Sequence, residues 1–370
     1  MDRSVKAAVL NGANESLKVK EYPMPTIEPG AALVAVEMAG VCGTDVHLQH
    51  GKLKIPYPVI LGHETVGRLV RLGEGLQTDL LGKPLHEGDR IQYTSSIPCG
   101  RCYYCAIAME PTRCLKRKVY GVTLSCANPP HLFGGQAEMV YLLPGAYIFK
   151  LTDELPNEAV TAFGCAAPTV VHAAERAGGV MPGDNVVIQG AGPVGLFSLI
   201  LALESGAHRT VVLDAIPSRL SVALSFGATQ TIDISKLAQA ERVQSVIDAT
   251  DDLGADVVFE CTGAPEAFAE GILMCRDAGK YVEVGQYTDR GETAVNPHHI
   301  TRKQIVISGS WAMLPRHYYR ALRIIQQNWR KYGLDKLVTH RFNLDPADEA
   351  LRVVERGEAV KSVVVPKSFS

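Results

Sequence analysis

The chain contains 370 residues, 46% of them hydrophobic, and carries a formal net charge of -2. This length allows two domains with sizeable cores, and the nearly neutral charge gives no reason to expect nucleic acid or a membrane as a partner. The sequence shows no charged leader followed by an apolar run, so it predicts no signal peptide. No apolar stretch approaches the length of a membrane-spanning helix, about 18 residues. We therefore expect a cytoplasmic protein.

Residues 1–165 predict a β-rich domain. Short runs of β-branched and apolar residues, such as residues 32–38 and 65–72, alternate with turns that contain many glycines and prolines. This pattern indicates a twisted, partly barrel-like domain with few long helices.

A candidate metal site combines Cys42, His63 and Cys165. Two thiolates and an imidazole suit zinc, and three protein ligands leave the fourth position open for water or substrate. An open position indicates catalysis. Cys165 lies among small residues and has an alternative interpretation as a packing cysteine, in which case Glu64 is the third ligand.

A second cysteine group lies in residues 99–114. The Cys-x2-Cys-x2-Cys spacing lets consecutive sulfur atoms turn inward on one ion, and a fourth cysteine completes a tetrahedron. The members of the group are Cys99, Cys102, Cys105 and Cys114. Four thiolates leave no open position, so we expect this zinc to be structural. With the first site, the sequence predicts about two zinc ions per chain, one catalytic and one structural.

From residue 166 to residue 310 the sequence alternates strands and helices. This alternation predicts an α/β fold with a doubly wound parallel sheet. The predicted strands are residues 185–188, 210–213, 255–259, 280–284 and 305–307, and an apolar helix is predicted at 193–205. The remaining residues, 311–370, carry helical patterns and a last strand at 362–365.

A glycine-rich turn between the first strand and helix of this sheet predicts a dinucleotide site, because its backbone allows the pyrophosphate to approach the helix N-terminus. The turn consists of Gly190, Ala191, Gly192, Pro193, Val194 and Gly195. The next strand ends in Asp214, where a carboxylate binds both ribose hydroxyls and repels the 2′-phosphate of NADP, so the pattern favours NAD. Arg219 is either a neighbour of the adenosine ribose or a solvated helix residue.

Together these motifs resemble the zinc-dependent alcohol dehydrogenases of the medium-chain dehydrogenase/reductase superfamily, along essentially the whole chain. Residues 42–47 are similar to the family's first ligand motif, and residues 62–64 to its second. The eight residues between Cys105 and Cys114 depart from the usual seven, which affects the loop conformation more than the metal.

The resemblance implies three parts of the chain. They are a GroES-like catalytic domain over 1–165 with a structural-zinc lobe at 99–114, a Rossmann domain over 166–310, and a carboxy-terminal segment over 311–370 that returns to the catalytic domain.

The resemblance also implies a role for each residue beside the metal. Zinc polarises the alcohol oxygen, and the nicotinamide accepts a hydride. Thr44 takes the hydroxyl proton and His47 passes it to solvent. Asp45 orients the ligating imidazole, and Glu64 binds the metal transiently during ligand exchange. Lys361, just before the last strand, resembles the position that contacts the pyrophosphate.

The predicted activity is the reversible oxidation of a neutral alcohol by NAD to an aldehyde or ketone. The alcohol is primary, secondary, cyclic or a polyol. One alternative is a zinc-free quinone or enoyl reductase of the same superfamily, and another is a non-catalytic protein that binds zinc and nucleotide. We expect a homodimer or homotetramer in which residues 305–310 pair across a two-fold axis.

Overall fold

The structure, a computed structural model, describes residues 4–367. Its contacts form two compact units, one running to Cys165 and resuming at Leu314, the other spanning Ala166–Met313. Residues 1–3, part of the stretch in which we read no signal peptide, lie outside the described residues. No helix within residues 4–367 is long and apolar enough to cross a membrane.

The amino-terminal part of the first unit consists mainly of short strands, as the alternation of β-rich runs and turns predicts. The strands are β1 Ser4–Leu10, β2 Lys18–Pro23, β3 Ala32–Val41, β4 Val59–Ile60, β5 Glu64–Leu72, β6 Arg90–Tyr93, β7 Ser96–Ile97, β8 Lys118–Val119, β9 Met139–Leu142 and β10 Ile148–Lys150. The helices are α1 Gly43–Gln49, α2 Tyr103–Ala106 and α3 Asn157–Ala162, with a 3-10 turn at Pro111–Arg113.

The second unit contains the predicted parallel sheet with helices between its strands. Its elements are α4 Ala166–Arg176, β11 Asn185–Gln189, α5 Pro193–Glu204, β12 Arg209–Asp214, α6 Pro217–Phe226, β13 Gln230–Asp233, α7 Gln239–Ala249, β14 Ala255–Glu260, α8 Pro265–Met274, β15 Cys275–Glu283, α9 Pro297–Lys303 and β16 Val306–Gly309, with a 3-10 turn at Ile234–Lys236.

The strand order of this sheet is β13-β12-β11-β14-β15-β16, and every neighbouring pair is parallel. The chain therefore winds outward from β11 in both directions, which confirms the predicted doubly wound α/β fold. The sequence pattern placed the start of β15 too late, at residue 280. Cys275 already pairs with Ala255, and a register irregularity follows before the regular pairing of the two strands.

The carboxy-terminal segment completes the sheet of the first unit. It supplies α10 Pro315–Tyr332, a 3-10 turn at Leu334–Lys336, β17 Val338–Phe342, α11 Ala347–Glu355 and β18 Lys361–Val364. Strand β18 pairs antiparallel with β3, and the sheet runs β10-β6-β5-β3-β18-β17, with β9 also paired to β3. A second sheet has the order β2-β1-β4.

The register around β3 fixes which residues meet at its carboxyl end. Gly40 lies opposite Glu64 of β5, and Val41 lies opposite Ser362 of β18. Antiparallel neighbours directly opposite each other are close in space. The start of β5 and the start of β18 therefore flank the point where β3 leads into α1.

We predict that Val364→Ala lowers the free energy of unfolding of the first unit by about 2 kcal/mol, because the lost methyl groups leave a cavity in a packed core. Val364 is fully buried in a cluster with Val41 and Leu351. Val70→Ala on β5, where the side chain is 37% exposed, is the matched control and should cost about 0.5 kcal/mol. Urea denaturation of both variants measures the difference, and equal losses would contradict the burial of β18.

Candidate functional site

The structure brings together the residues of the predicted catalytic metal site. Cys42, His63, Glu64 and Cys165 each offer a ligand atom, and these atoms all lie within 4.8 Å of one another. The Cys42 Sγ atom lies 3.2 Å from His63 Nε2. A set of two sulfur atoms and an imidazole nitrogen, already gathered in a largely buried position, fits zinc.

Backbone geometry delivers the imidazole to this cluster. Gly62, immediately before His63, has a φ of +95°, a conformation that favours glycine. A Cβ atom at Gly62 would lie 2.9 Å from the backbone nitrogen of Gln136, so the chain also passes too close to its neighbour for a side chain. The turn directs His63 inward at the start of β5.

Asp45, which we predict to orient the imidazole, contacts both His63 and Cys42. Its Oδ1 atom lies 3.3 Å from His63 Nδ1, and its Oδ2 atom accepts a hydrogen bond of 3.0 Å from the Cys42 backbone N–H. The side chain is fully buried. A carboxylate on the far ring nitrogen leaves Nε2 facing the metal position and fixes the ring orientation.

The pKa values of the two thiols in the cluster shift in opposite directions. A hydrogen bond from Cys165 and the nearby imidazole lower the pKa of Cys42 to about 5, against the opposing effect of burial. The same hydrogen bond, with burial, raises the pKa of Cys165 well above its usual value. Burial disfavours the charged form of His63, but the charges of Cys42 and Asp45 raise its pKa overall. A bound dication favours deprotonation of its ligands, so metal binding releases protons from this site.

Glu64 lies in the cluster, but both of its carboxylate oxygens have protein partners. Oε1 accepts a hydrogen bond of 3.2 Å from the backbone N–H of Cys165, and Oε2 is paired with Lys361 Nζ. Both side chains are buried. The pyrophosphate contact expected of Lys361 stays a prediction, since the contact described for its ammonium is with Glu64.

The residues of the predicted proton relay lie on α1. Thr44 and His47 are three positions apart on this helix, and both are partly exposed. Side chains at this spacing lie on the same face of a helix. The Thr44 backbone N–H also donates to Cys42 Sγ at 3.3 Å, which ties the start of the helix to the metal position.

The four cysteines of the predicted structural site form a second cluster. The sulfur atoms of Cys99, Cys102, Cys105 and Cys114 lie within 4.8 Å of one another. The Cys99 backbone N–H donates to Cys114 Sγ at 3.2 Å, and the Cys102 and Cys105 sulfur atoms are 3.5 Å apart. The longer gap before Cys114 forms the 3-10 turn Pro111–Arg113, which returns the fourth sulfur to the group. This all-thiol set fits zinc without an open position.

The glycine-rich turn of the second unit has the features that a dinucleotide needs. A Cβ atom at Gly195 would lie 1.7 Å from the carbonyl oxygen of Gly190, so α5 packs against the turn only if that residue is glycine. A Cβ atom at Gly192 would meet nothing within 4 Å, which leaves open space beside the helix N-terminus. No side chain caps α5 at Gly192, so its first backbone N–H groups are available to a phosphate.

Asp214 ends β12 next to this turn. Its Oδ2 atom accepts a hydrogen bond of 2.7 Å from the backbone N–H of Ala191, and Oδ1 accepts one of 2.8 Å from that of Ile216. These bonds orient the carboxylate, and each oxygen keeps a lone pair for a ribose hydroxyl. Arg219 lies on α6 with a partly exposed side chain.

A buried pair of Tyr318 and Ser95 in the first unit was not predicted from the sequence. The hydroxyl of Tyr318 donates to Ser95 Oγ at 3.1 Å and accepts from the Ser95 backbone N–H at 3.1 Å. Burial raises the pKa of Tyr318 to about 12, and the neighbouring Cys165 adds to the effect. The partners are 223 positions apart, so no local spacing connects them.

Comparison with known proteins identifies the family of the chain and the class of reaction. Residues 28–153 match the model of the alcohol dehydrogenase GroES-like domain, and residues 193–327 match that of the zinc-binding dehydrogenase. The crystal structure of an alcohol dehydrogenase from Thermotoga maritima is similar with a TM-score of 0.94 at 34% identity, covering 99% of this chain and 100% of that one.

Two relatives extend along nearly the whole chain. The 5-exo-hydroxycamphor dehydrogenase of Pseudomonas putida is 36% identical over 97% of this chain and 98% of its own length. The sorbitol dehydrogenase of Halalkalibacterium halodurans is 31% identical over 94% and 95%. These matches confirm the prediction of a zinc-dependent oxidoreductase that acts on alcohols. The chain belongs to the zinc-dependent alcohol dehydrogenase family of the medium-chain dehydrogenase/reductase superfamily.

Proposed function

We propose that this protein oxidises a neutral cyclic or polyol alcohol to the ketone or aldehyde, reversibly, with NAD as the acceptor. The observation that carries the proposal is the gathering of Cys42, His63 and Cys165 beside a Glu64 whose oxygens are already engaged. This set provides three ligands and leaves a fourth position for the alcohol oxygen. The four-cysteine cluster accounts for a second, structural zinc.

The substrate class rests on the relatives and on charge. One relative is named for a hydroxycamphor and another for sorbitol, so both a ring alcohol and a polyol are represented among them. The basic groups described at the cluster are the His63 imidazole, which lies 3.3 Å from an Asp45 oxygen, and the Lys361 ammonium, which is paired with Glu64. Each of these basic groups has an acidic partner within the protein, so a neutral alcohol suits the site better than an anionic group.

Each residue of the site has a task under this proposal. Zinc, when bound, lowers the pKa of the substrate hydroxyl, and NAD accepts the hydride. Thr44 accepts the substrate's hydroxyl proton as it gives up its own, and His47 passes a proton on toward solvent. Asp45 keeps the His63 ring turned toward the metal position.

The preference for NAD rests on the carboxylate at the end of β12. Asp214 would repel the 2′-phosphate of NADP, and the residues that follow it, Ala215 and Ile216, supply no positive charge. The ribose hydroxyls of NAD would instead donate hydrogen bonds to the oriented carboxylate. The glycine-rich turn would lie beside the pyrophosphate, and Arg219 beside the adenosine ribose.

We also propose that two chains pair through β16. This strand forms one edge of the parallel sheet and exposes Val306 (59%) and Ile307 (38%). An exposed apolar edge strand is a ready site for pairing with another strand. A two-fold axis there would give a dimer, from which a tetramer can be built.

A cytoplasmic location is consistent with the free cysteines of residues 4–367, which form no disulfide.

The function is tested by an assay of NADH formation with the zinc-loaded protein. Cyclic secondary alcohols, polyols and primary alcohols are compared with a matched hydroxy acid and a sugar phosphate. We expect turnover with a neutral alcohol of one of the first two classes and at least about tenfold lower kcat/KM for the charged compounds, because the basic groups described at the cluster, His63 and Lys361, already have acidic partners. Turnover confined to the charged compounds would contradict the proposed substrate class.

The metal assignment predicts that Cys165→Ala loses the catalytic zinc and turnover but still binds NAD, because the nucleotide turn lies in the other unit. Elemental analysis should show about one zinc per chain instead of about two. Cys126→Ala, a buried cysteine outside both clusters, is the control and should keep both ions. Full zinc content and activity in Cys165→Ala would assign the third ligand to Glu64.

The cofactor assignment predicts that Asp214→Asn shifts the ratio of NADP to NAD affinity by about tenfold or more toward NADP, because the substitution removes the repelling charge but keeps an acceptor oxygen. Asp233→Asn at the end of the neighbouring strand β13, in register with Asp214, is the matched control. Equilibrium binding of both cofactors measures the ratio. A ratio equal to that of the unaltered protein would refute the role of Asp214.

A further inference from the structure

Glu64 has a carboxylate that could serve as a fourth metal ligand, but contacts with the protein restrain this carboxylate. One of its oxygens belongs to the group of ligand atoms within 4.8 Å, so only a small movement separates the carboxylate from the metal position. Yet Oε1 accepts the Cys165 backbone N–H at 3.2 Å, and Oε2 is paired with Lys361 Nζ. A move of the carboxylate onto the metal would therefore have to weaken one of these two contacts.

The ion pair is held in a tightly packed slot. A Cβ atom at Gly40 would lie 2.1 Å from Glu64 Oε2 and 2.9 Å from Lys361 Cε. A Cβ atom at Gly164 would lie 2.7 Å from Glu64 Cβ. Two glycines thus make room for the pair, and the register of β18 on β3 brings Lys361 to it.

Burial makes the partnership obligatory. Lys361 and Glu64 are both almost completely buried, and an isolated charge in such a place is strongly unfavourable. Without Lys361, the Glu64 carboxylate would be a buried anion next to a metal ion that has an open position. Its most favourable partner would then be that ion, because a carboxylate is an ordinary zinc ligand.

We propose that Lys361 is a positioning residue that holds Glu64 off the catalytic metal and so keeps the fourth coordination position open for the substrate. This inference rests on the three-ligand site of the proposed function. In the absence of the ammonium, Glu64 closes the tetrahedron, and the site acquires the closed coordination of a structural metal.

The test replaces zinc with cobalt(II), whose visible absorption reports coordination, and uses imidazole as a neutral probe of the open position. Lys361→Met and Lys361→Gln remove the charge with side chains of similar length, and Lys361→Arg keeps it. We expect imidazole affinity to fall by about tenfold or more in both neutral variants, with an altered cobalt spectrum before imidazole is added. Lys361→Arg should retain the affinity and spectrum of the unaltered protein.

A double variant separates ligation from general disruption. Lys361→Met combined with Glu64→Gln has no carboxylate to occupy the open position, so imidazole affinity should return to within about threefold of the unaltered protein. A site that was merely distorted by loss of the lysine would stay impaired in the double variant, and that result would overturn the proposal.

The outcomes also distinguish this inference from the proposed function. Unchanged imidazole affinity and an unchanged spectrum in the neutral variants, with cobalt bound, would refute the role of Lys361 and leave the three-ligand site intact. If the unaltered protein binds cobalt only in the four-cysteine cluster, the three-ligand site itself is refuted, and this inference with it.

Discussion

The pairing of β3 with β5 on one side and β18 on the other is the constraint on which the catalytic cluster depends. Cys42 follows directly after β3, Glu64 begins β5, and Lys361 begins β18. Each residue occupies its place because a strand end is fixed by register, and a slip of one position would turn these side chains to the opposite face. The metal site is thus a consequence of how three strands from distant parts of the chain meet.

Burial then determines the chemistry of that meeting point. The cluster and its surroundings contain two thiols, an imidazole, two carboxylates and one ammonium, most of them buried. Such a group is stable only if opposite charges are neighbours. Asp45 lies beside the His63 ring, and Lys361 is paired with Glu64. A cation would be the charged partner of the two cysteines. The contacts of these side chains, more than their residue types, distinguish the proposed metal ligands from the residues proposed to support them.

The sequence predicted most of the features whose residues lie close together in the chain. It predicted little about contacts between residues that are far apart in the chain. The glycine-rich turn and the four-cysteine lobe are short segments whose residue types carry their own geometry, and the alternating strands of the second unit follow from runs of β-branched residues. The contact of Glu64 with Lys361 spans 297 positions, and that of Ser95 with Tyr318 spans 223. Neither has a periodic or motif signal, because both arise only when the carboxy-terminal segment joins the first sheet. The same contact bears on the third ligand, for which the sequence left Cys165 and Glu64 as alternatives.

The two units contain different groups of candidate functional residues. The metal clusters are built entirely from residues of the first unit, and the glycine-rich turn and Asp214 from residues of the second. Under the proposed function, substitutions can therefore weaken metal binding and nucleotide binding separately, while turnover requires both. A closed metal site would abolish turnover without weakening the nucleotide site. On the role proposed for Lys361, its buried ammonium contributes no atom to the reaction but determines whether the metal can accept a substrate.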